Sequence, residues 1–146
     1  MDIELREPRT AEEFRLYHDL RWRVLRAPWD QPRESEKDAF EDRAAHLTAW
    51  RGGRLVGVGR LHFNSPVEAQ IRFMAVEPDW QGHGIGGLIL ARLEERARAS
   101  GAQAIVLNAR ESAVAFYAAR GYTVARELEP LFGSIPHFQM VKTLSA

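Results

Sequence analysis

The chain has 146 residues, 45% of them apolar and 27% charged, a balance that suits one globular domain with its own core. Its 20 Lys and Arg match 20 Asp and Glu, so net charge supports neither a nucleic-acid nor an acidic-membrane partner. With no cysteine, disulfides, thiolate metal sites and a cysteine nucleophile are excluded.

The opening MDIELREPRT carries mixed charge and no apolar core, unlike a signal peptide. No apolar stretch reaches membrane-spanning length, so a cytoplasmic protein is expected. Ile3 and Leu5 mark a short strand. Thr10 and Glu13 form a capping box for a helix reaching about Ala27, with Phe14, Tyr17, Leu20 and Val24 on its buried stripe. APWDQP ends that helix, and a second, more polar helix is expected over 36–45. HLTAW and RGGRLVGVGRLHF are strands joined by a hairpin turn at Gly52-Gly53. After Ser65-Pro66, VEAQIRFMAV alternates through Val67, Ala69, Ile71, Phe73 and Ala75, completing a meander of three antiparallel strands.

Beyond Pro78 the period changes. Ile85, Leu88, Ile89, Leu93 and Ala97 lie on one helical face, closed by Gly101. AIVLNA is a short, wholly apolar strand of the kind buried on both faces. ESAVAFYAAR is a helix ended by Gly121, and YTVARELE and PHFQMVKTL are the last strands. The span 70–108 therefore reads as a βαβ crossover inside a mixed sheet, an α/β (α+β) class.

At the start of the crossover helix stands WQGHGIGG, with four glycines in six residues. One or two glycines suit tight helix–sheet packing. Four at a helix N-terminus suit an anion, because free N–H groups and the positive helix end converge there. Gly82, Gly84 and Gly87 satisfy G-x-G-x-x-G, but a dinucleotide site fits poorly. Four residues separate the loop from its strand, the next strand ends in Asn108-Ala109-Arg110 rather than in an acid, and too little chain follows for a doubly wound half. No Gly-Lys-Ser/Thr follows for a P-loop.

MAVEPDWQGHGIGGLIL resembles the cofactor motif Q/R-x-x-G-x-G/A of the GCN5-related N-acetyltransferase (GNAT) superfamily, matched by Gln81, Gly84 and Gly86. RESAVAFYAARGY resembles a second motif of the same family through Ala113, Phe116, Tyr117 and Gly121, with Arg110 where Asn is usual and Tyr122 for Phe. RWRVLRAPW, QIRFMAV and IPHFQMVK resemble the smaller ElaA-like branch. The resemblance spans nearly the whole chain and implies one acyl-CoA acyltransferase domain over 1–146. It also implies that acetyl-CoA lies on Gln81, Gly82, His83, Gly84, Ile85, Gly86 and Gly87, with the pantetheine arm along Met74, Ala75 and Val76. Arg110, Ala113, Phe116 and Tyr117 complete that site.

The implied reaction is direct attack by an amine on the acetyl thioester. A backbone N–H near Met74 or Ala75 would polarise the carbonyl. Tyr117 is the candidate general acid, since a phenol is still protonated where a thiolate departs; its other reading is a core tyrosine. The acceptor, a small-molecule or peptidyl amine, is expected at RWRVLRAPWDQPRE, with Arg21, Trp22, Arg26 and Trp29, and near His62, Glu68 and His137. These three are also the candidate bases. No His pair has metal-ligand spacing, so no metal is expected. Monomer and homodimer both fit, and a non-catalytic acyl-CoA-binding or sensory domain is the alternative function.

Overall fold

A computed structural model describes residues 2–144. Ten elements follow in chain order: β1 (Glu4–Arg6), α1 (Ala11–Leu25), β2 (Ala45–Arg51), β3 (Arg54–Phe63), β4 (Glu68–Val76), α2 (Ile85–Ala99), β5 (Ala104–Arg110), α3 (Val114–Ala118), β6 (Thr123–Leu131) and β7 (Ile135–Thr143). The strands form one sheet in the order β1-β2-β3-β4-β5-β7-β6. β2, β3 and β4 are the antiparallel meander, and β4–α2–β5 is the crossover, with β4 and β5 parallel.

α1 begins as its sequence requires: the Thr10 side chain accepts from the Glu13 N–H at 3.1 Å. It ends at Leu25, and Ala27–Trp29 follows as a single 3-10 turn. Tyr17 and Leu20 pack with Trp50, Leu55, Val58 and Ala75. α2 closes a second cluster through Ile85, Ile89, Leu90, Leu93 and Ala97 over Leu47, Val56, Ile71, Ile105 and Leu107. Gly57 and Gly59 of β3 set its approach: a Cβ at either would lie 2.8 or 2.7 Å from Ile89. This accounts for the GVG within an otherwise apolar strand.

Two expectations need correction. The span 36–45 is not a helix; it holds turns and a 3-10 turn at Glu41–Arg43. The Asp38 carboxylate accepts from the Phe40 N–H at 2.9 Å and from the buried Arg60 and half-buried Arg72, so the polar residues there serve arginines of the sheet. The alternation expected along β4 holds in burial, with Ala69, Ile71, Phe73 and Ala75 all buried, but not in facing, because the strand is bulged at Phe73, whose φ is +57°. Arg72 faces Arg60 and Ala75 faces Val58, so two residues of β4 oppose one of β3. This bulge changes the facing. Ile71, Met74 and Val76 join the α2 cluster, while Ala75 joins that of α1.

Candidate active site

The bulge and the end of β4–β5 pairing coincide. The parallel ladder runs from Glu68–Ala104 to Ile71–Leu107 and stops, although β4 continues to Val76 and β5 to Arg110. Past Ile71 the strands diverge around a cleft of about 190 Å³. Its walls include Ile71 to Met74, Leu107 to Arg110, Tyr117, Leu131 and His137, with Leu25 and Arg26 from the end of α1. The edge of β4 facing β5 has no strand partner here, which leaves backbone groups for an extended ligand.

The glycine loop lies directly beyond β4. Gln81 Nε2 donates to the Val76 carbonyl at 3.1 Å and ties the loop to the strand end. α2 opens with Gly84 as N-cap, φ +81°, without a side-chain cap and without an acid in its first turn. α1 contrasts with it, having the Thr10 cap and both Glu12 and Glu13 in its first turn. The N-terminal charge of α2 is thus left for an external anion. The four glycines divide the work. Gly82 and Gly84 hold left-handed backbone with open space where a Cβ would stand. A Cβ on Gly86 would lie 3.3 Å from Phe116, and one on Gly87 3.3 Å from Arg120. The side chain of Ile85 is buried, so only its backbone faces the loop. His83 is exposed, its ring 5.5 Å from that of Trp80. These residues fit a diphosphate: uncapped N–H groups, no competing carboxylate, and Arg120 alongside.

Tyr117 connects loop and cleft. Its hydroxyl lies 3.6 Å from Met74 Sδ and its ring packs edge-on to Phe116 and Tyr122. Burial pushes its phenol up to about 12. Ala113 lines the same wall. His137, paired across strands with Arg110, carries a buried Nδ1 without a hydrogen-bond partner among the described residues. Burial lowers its pKa; a backbone contact at Glu129 opposes this, and Arg110 and Arg72 add to it, so the imidazole is neutral near pH 7.

The remaining predicted residues separate. Arg110 turns toward α1: Nη2 donates to the Leu25 carbonyl at 2.8 Å and the guanidinium covers Trp29 at 4.2 Å. Trp29 stands behind it against Phe132. Arg26 lines the cleft. Arg21 does not; it is wholly buried, donating to Glu41 and to the Glu36 carbonyl. Trp22 is likewise structural, its Nε1 on the Gln31 carbonyl and its ring under Arg33. His62 stacks on Phe40 at 4.1 Å and bonds Arg60 and Asn64, while Glu68 accepts from Asn64 at the far end of β4. Neither His62 nor Glu68 lines the cleft that Tyr117 faces. Arg72 and Arg120 were not expected at the site. Arg120 had a legible signal, lying one helical turn after Phe116.

The acetyltransferase (GNAT) family model matches residues 14–122. The chain belongs to that family. The GNAT chain is 36% identical over 111 residues to the "Uncharacterized N-acetyltransferase YjcF" of Bacillus subtilis (strain 168), covering 76% of this chain and 79% of that protein. Escherichia coli ElaA shares its fold, with a TM-score of 0.83 at 17% identity over 97% of this chain and 99% of that one. So does an aminoglycoside 6'-N-acetyltransferase complexed with coenzyme A, with a TM-score of 0.79 at 18% identity over 98% and 97% of the two chains. This GNAT protein is accordingly an acetyl-CoA-dependent N-acetyltransferase.

Proposed function

We propose that one domain spanning 1–146 transfers the acetyl group to a small-molecule or peptidyl amine inside the β4–β5 cleft. The observation that carries this reading is the adjacency of two features: the uncapped α2 N-terminus and the unpaired edge of β4, with Tyr117 between them. Acetyl-CoA supplies the activated thioester. Backbone N–H groups at the start of α2, with Arg120, hold the diphosphate. The β4 edge holds the pantetheine arm, and an N–H at the bulge, near Met74 or Ala75, polarises the carbonyl.

Arg26, Arg72 and Arg110 surround the acceptor position and disfavour a protonated amine there, lowering its pKa. His137 is the one cleft-lining group, among the described residues, that can accept a proton near neutral pH, directly or through water. The amine nitrogen bonds to the carbonyl carbon, the C–S bond breaks, and Tyr117 passes its proton to the sulfur. A phenol near 12 makes that transfer uphill from a solvated thiol's 8.5, but a thiolate leaving in the same buried cleft is desolvated too, which narrows the gap. With no cysteine for a thioester intermediate, direct attack is the simplest route.

Among the described residues no helix is long and apolar enough to cross a membrane, which fits a cytoplasmic enzyme. Thiol release from acetyl-CoA across a panel of amines tests the reading. Amine-dependent release supports it, and tight acetyl-CoA binding without release to any amine favours a binding domain.

A further inference from the structure

The acceptor side of the cleft has an excess of positive charge. Four guanidiniums surround the Phe73 ring, Arg21 at 4.3, Arg26 at 5.5, Arg60 at 4.9 and Arg72 at 4.3 Å from its centroid. Two carboxylates serve them: Asp38 bonds Arg60 and Arg72, and Glu41 bonds Arg21 and Arg60. Buried Glu36 lies near, its Oε1 accepting the Glu34 N–H. Arg26 is only 8% exposed, yet among the described residues it donates only to the Ser35 and Leu25 carbonyls. Arg110 donates to a carbonyl as well. Neither has a carboxylate within ion-pair distance among the described residues, and no Asp or Glu lines the cleft. A buried guanidinium without a counter-ion is costly. Burial, then Arg72, Arg110 and Arg21, bring Arg26 down to about 10, with the charge of Glu36 opposing.

We propose that the acceptor amine also carries an oxyanion, a carboxylate in the first instance, bound by Arg26, Arg72 and Arg110. The inference rests on the cleft being the acceptor site. It explains why two arginines without carboxylate partners line the same cleft from its two sides, and it disfavours polycationic acceptors. Arg72 is tied to Asp38 through Nη1 alone, and Arg110 to Leu25 through Nη2, which leaves donors on both for bidentate contact.

Calorimetric titration of the CoA-loaded protein tests this with matched pairs. The probes are β-alanine and its amide, 4-aminobutyrate and its amide, glutamate and glutamine, 2-aminoethyl phosphate and ethanolamine, and spermidine. At least one acid should bind about tenfold or more tighter than its neutral partner. A preference confined to aminoethyl phosphate identifies the oxyanion as phosphate. Arg72→Gln and, independently, Arg110→Gln should bring the ratio to within about threefold, with CoA affinity reporting that each variant is folded. Acids and amides binding alike in every pair, no acid binding at all, or spermidine binding tightest would each overturn the proposal. Acetyl transfer is followed in parallel. Acid preference without transfer overturns the acceptor reading and leaves the anion site standing; transfer to amides as fast as to acids does the reverse.

Discussion

The guanidinium of Arg110 lies 4.2 Å from the centre of the Trp29 ring while its Nη2 holds the carbonyl of Leu25, joining the end of β5 to the end of α1. One residue thus fastens the acceptor segment to the strand that forms the opposite wall. Trp29→Ala removes the stacking surface and loosens that wall. The acceptor KM should rise at least about fivefold, with the acetyl-CoA KM within about twofold of wild type. Steady-state kinetics varying each substrate checks this; equal effects on both would make Trp29 a packing residue.

Tyr117→Phe removes a hydroxyl whose only partner among the described residues is the Met74 sulfur at 3.6 Å, so stability should change by less than about 1 kcal/mol. The single-turnover rate with a working amine should fall at least about tenfold, because general acid catalysis is worth about 10²–10⁴-fold. Since burial holds the phenol up near 12, wild-type activity should show no alkaline limb near 10 from this group. A single-turnover rate within about twofold of wild type would remove Tyr117 from the chemistry.

Acid should destabilise the fold from neutral pH downward. Burial, followed by the charge of Arg21, pushes the His18 imidazole down to about 4, and its buried Nδ1 has no partner among the described residues. His46 and His62 are lowered too, burial again being the largest cause. Between the unfolded value near 6.5 and these folded values the unfolded chain binds more protons, so stability declines as pH falls through that window. Thermal melts from pH 7 to 4 should show the decline, and His18→Gln should make it shallower. A flat wild-type profile would contradict this.

Much of this was legible because some signals are local. Thr10 and Glu13 announced α1, Gly52-Gly53 the hairpin, and WQGHGIGG a helix N-terminus left open. The bulge at Phe73 was not, since Phe73 and Met74 are both apolar and the pattern 71, 73, 75 looks unbroken whichever residue is inserted. The span 36–45 misled for a different reason. Glu36, Asp38 and Glu41 look like a solvated helix face until the buried Arg21 and Arg60 and the half-buried Arg72 claim Asp38 and Glu41. Arginines are seldom buried, so nothing in RWRVLR separates the wholly buried Arg21 from the cleft-lining Arg26.

Acetyl transfer in this cleft requires a diphosphate resting on the N-terminus of α2. Gly84 tests it more cleanly than Gly86, where an added side chain would meet Phe116. Gly84 has open space around its missing Cβ and a φ of +81°, which a β-branched residue strongly disfavours. Calorimetric titration of CoA into wild type and a folded Gly84→Val variant is the direct measurement. Affinity for CoA should fall at least about tenfold in the variant. CoA binding to folded Gly84→Val as tightly as to wild type would contradict it.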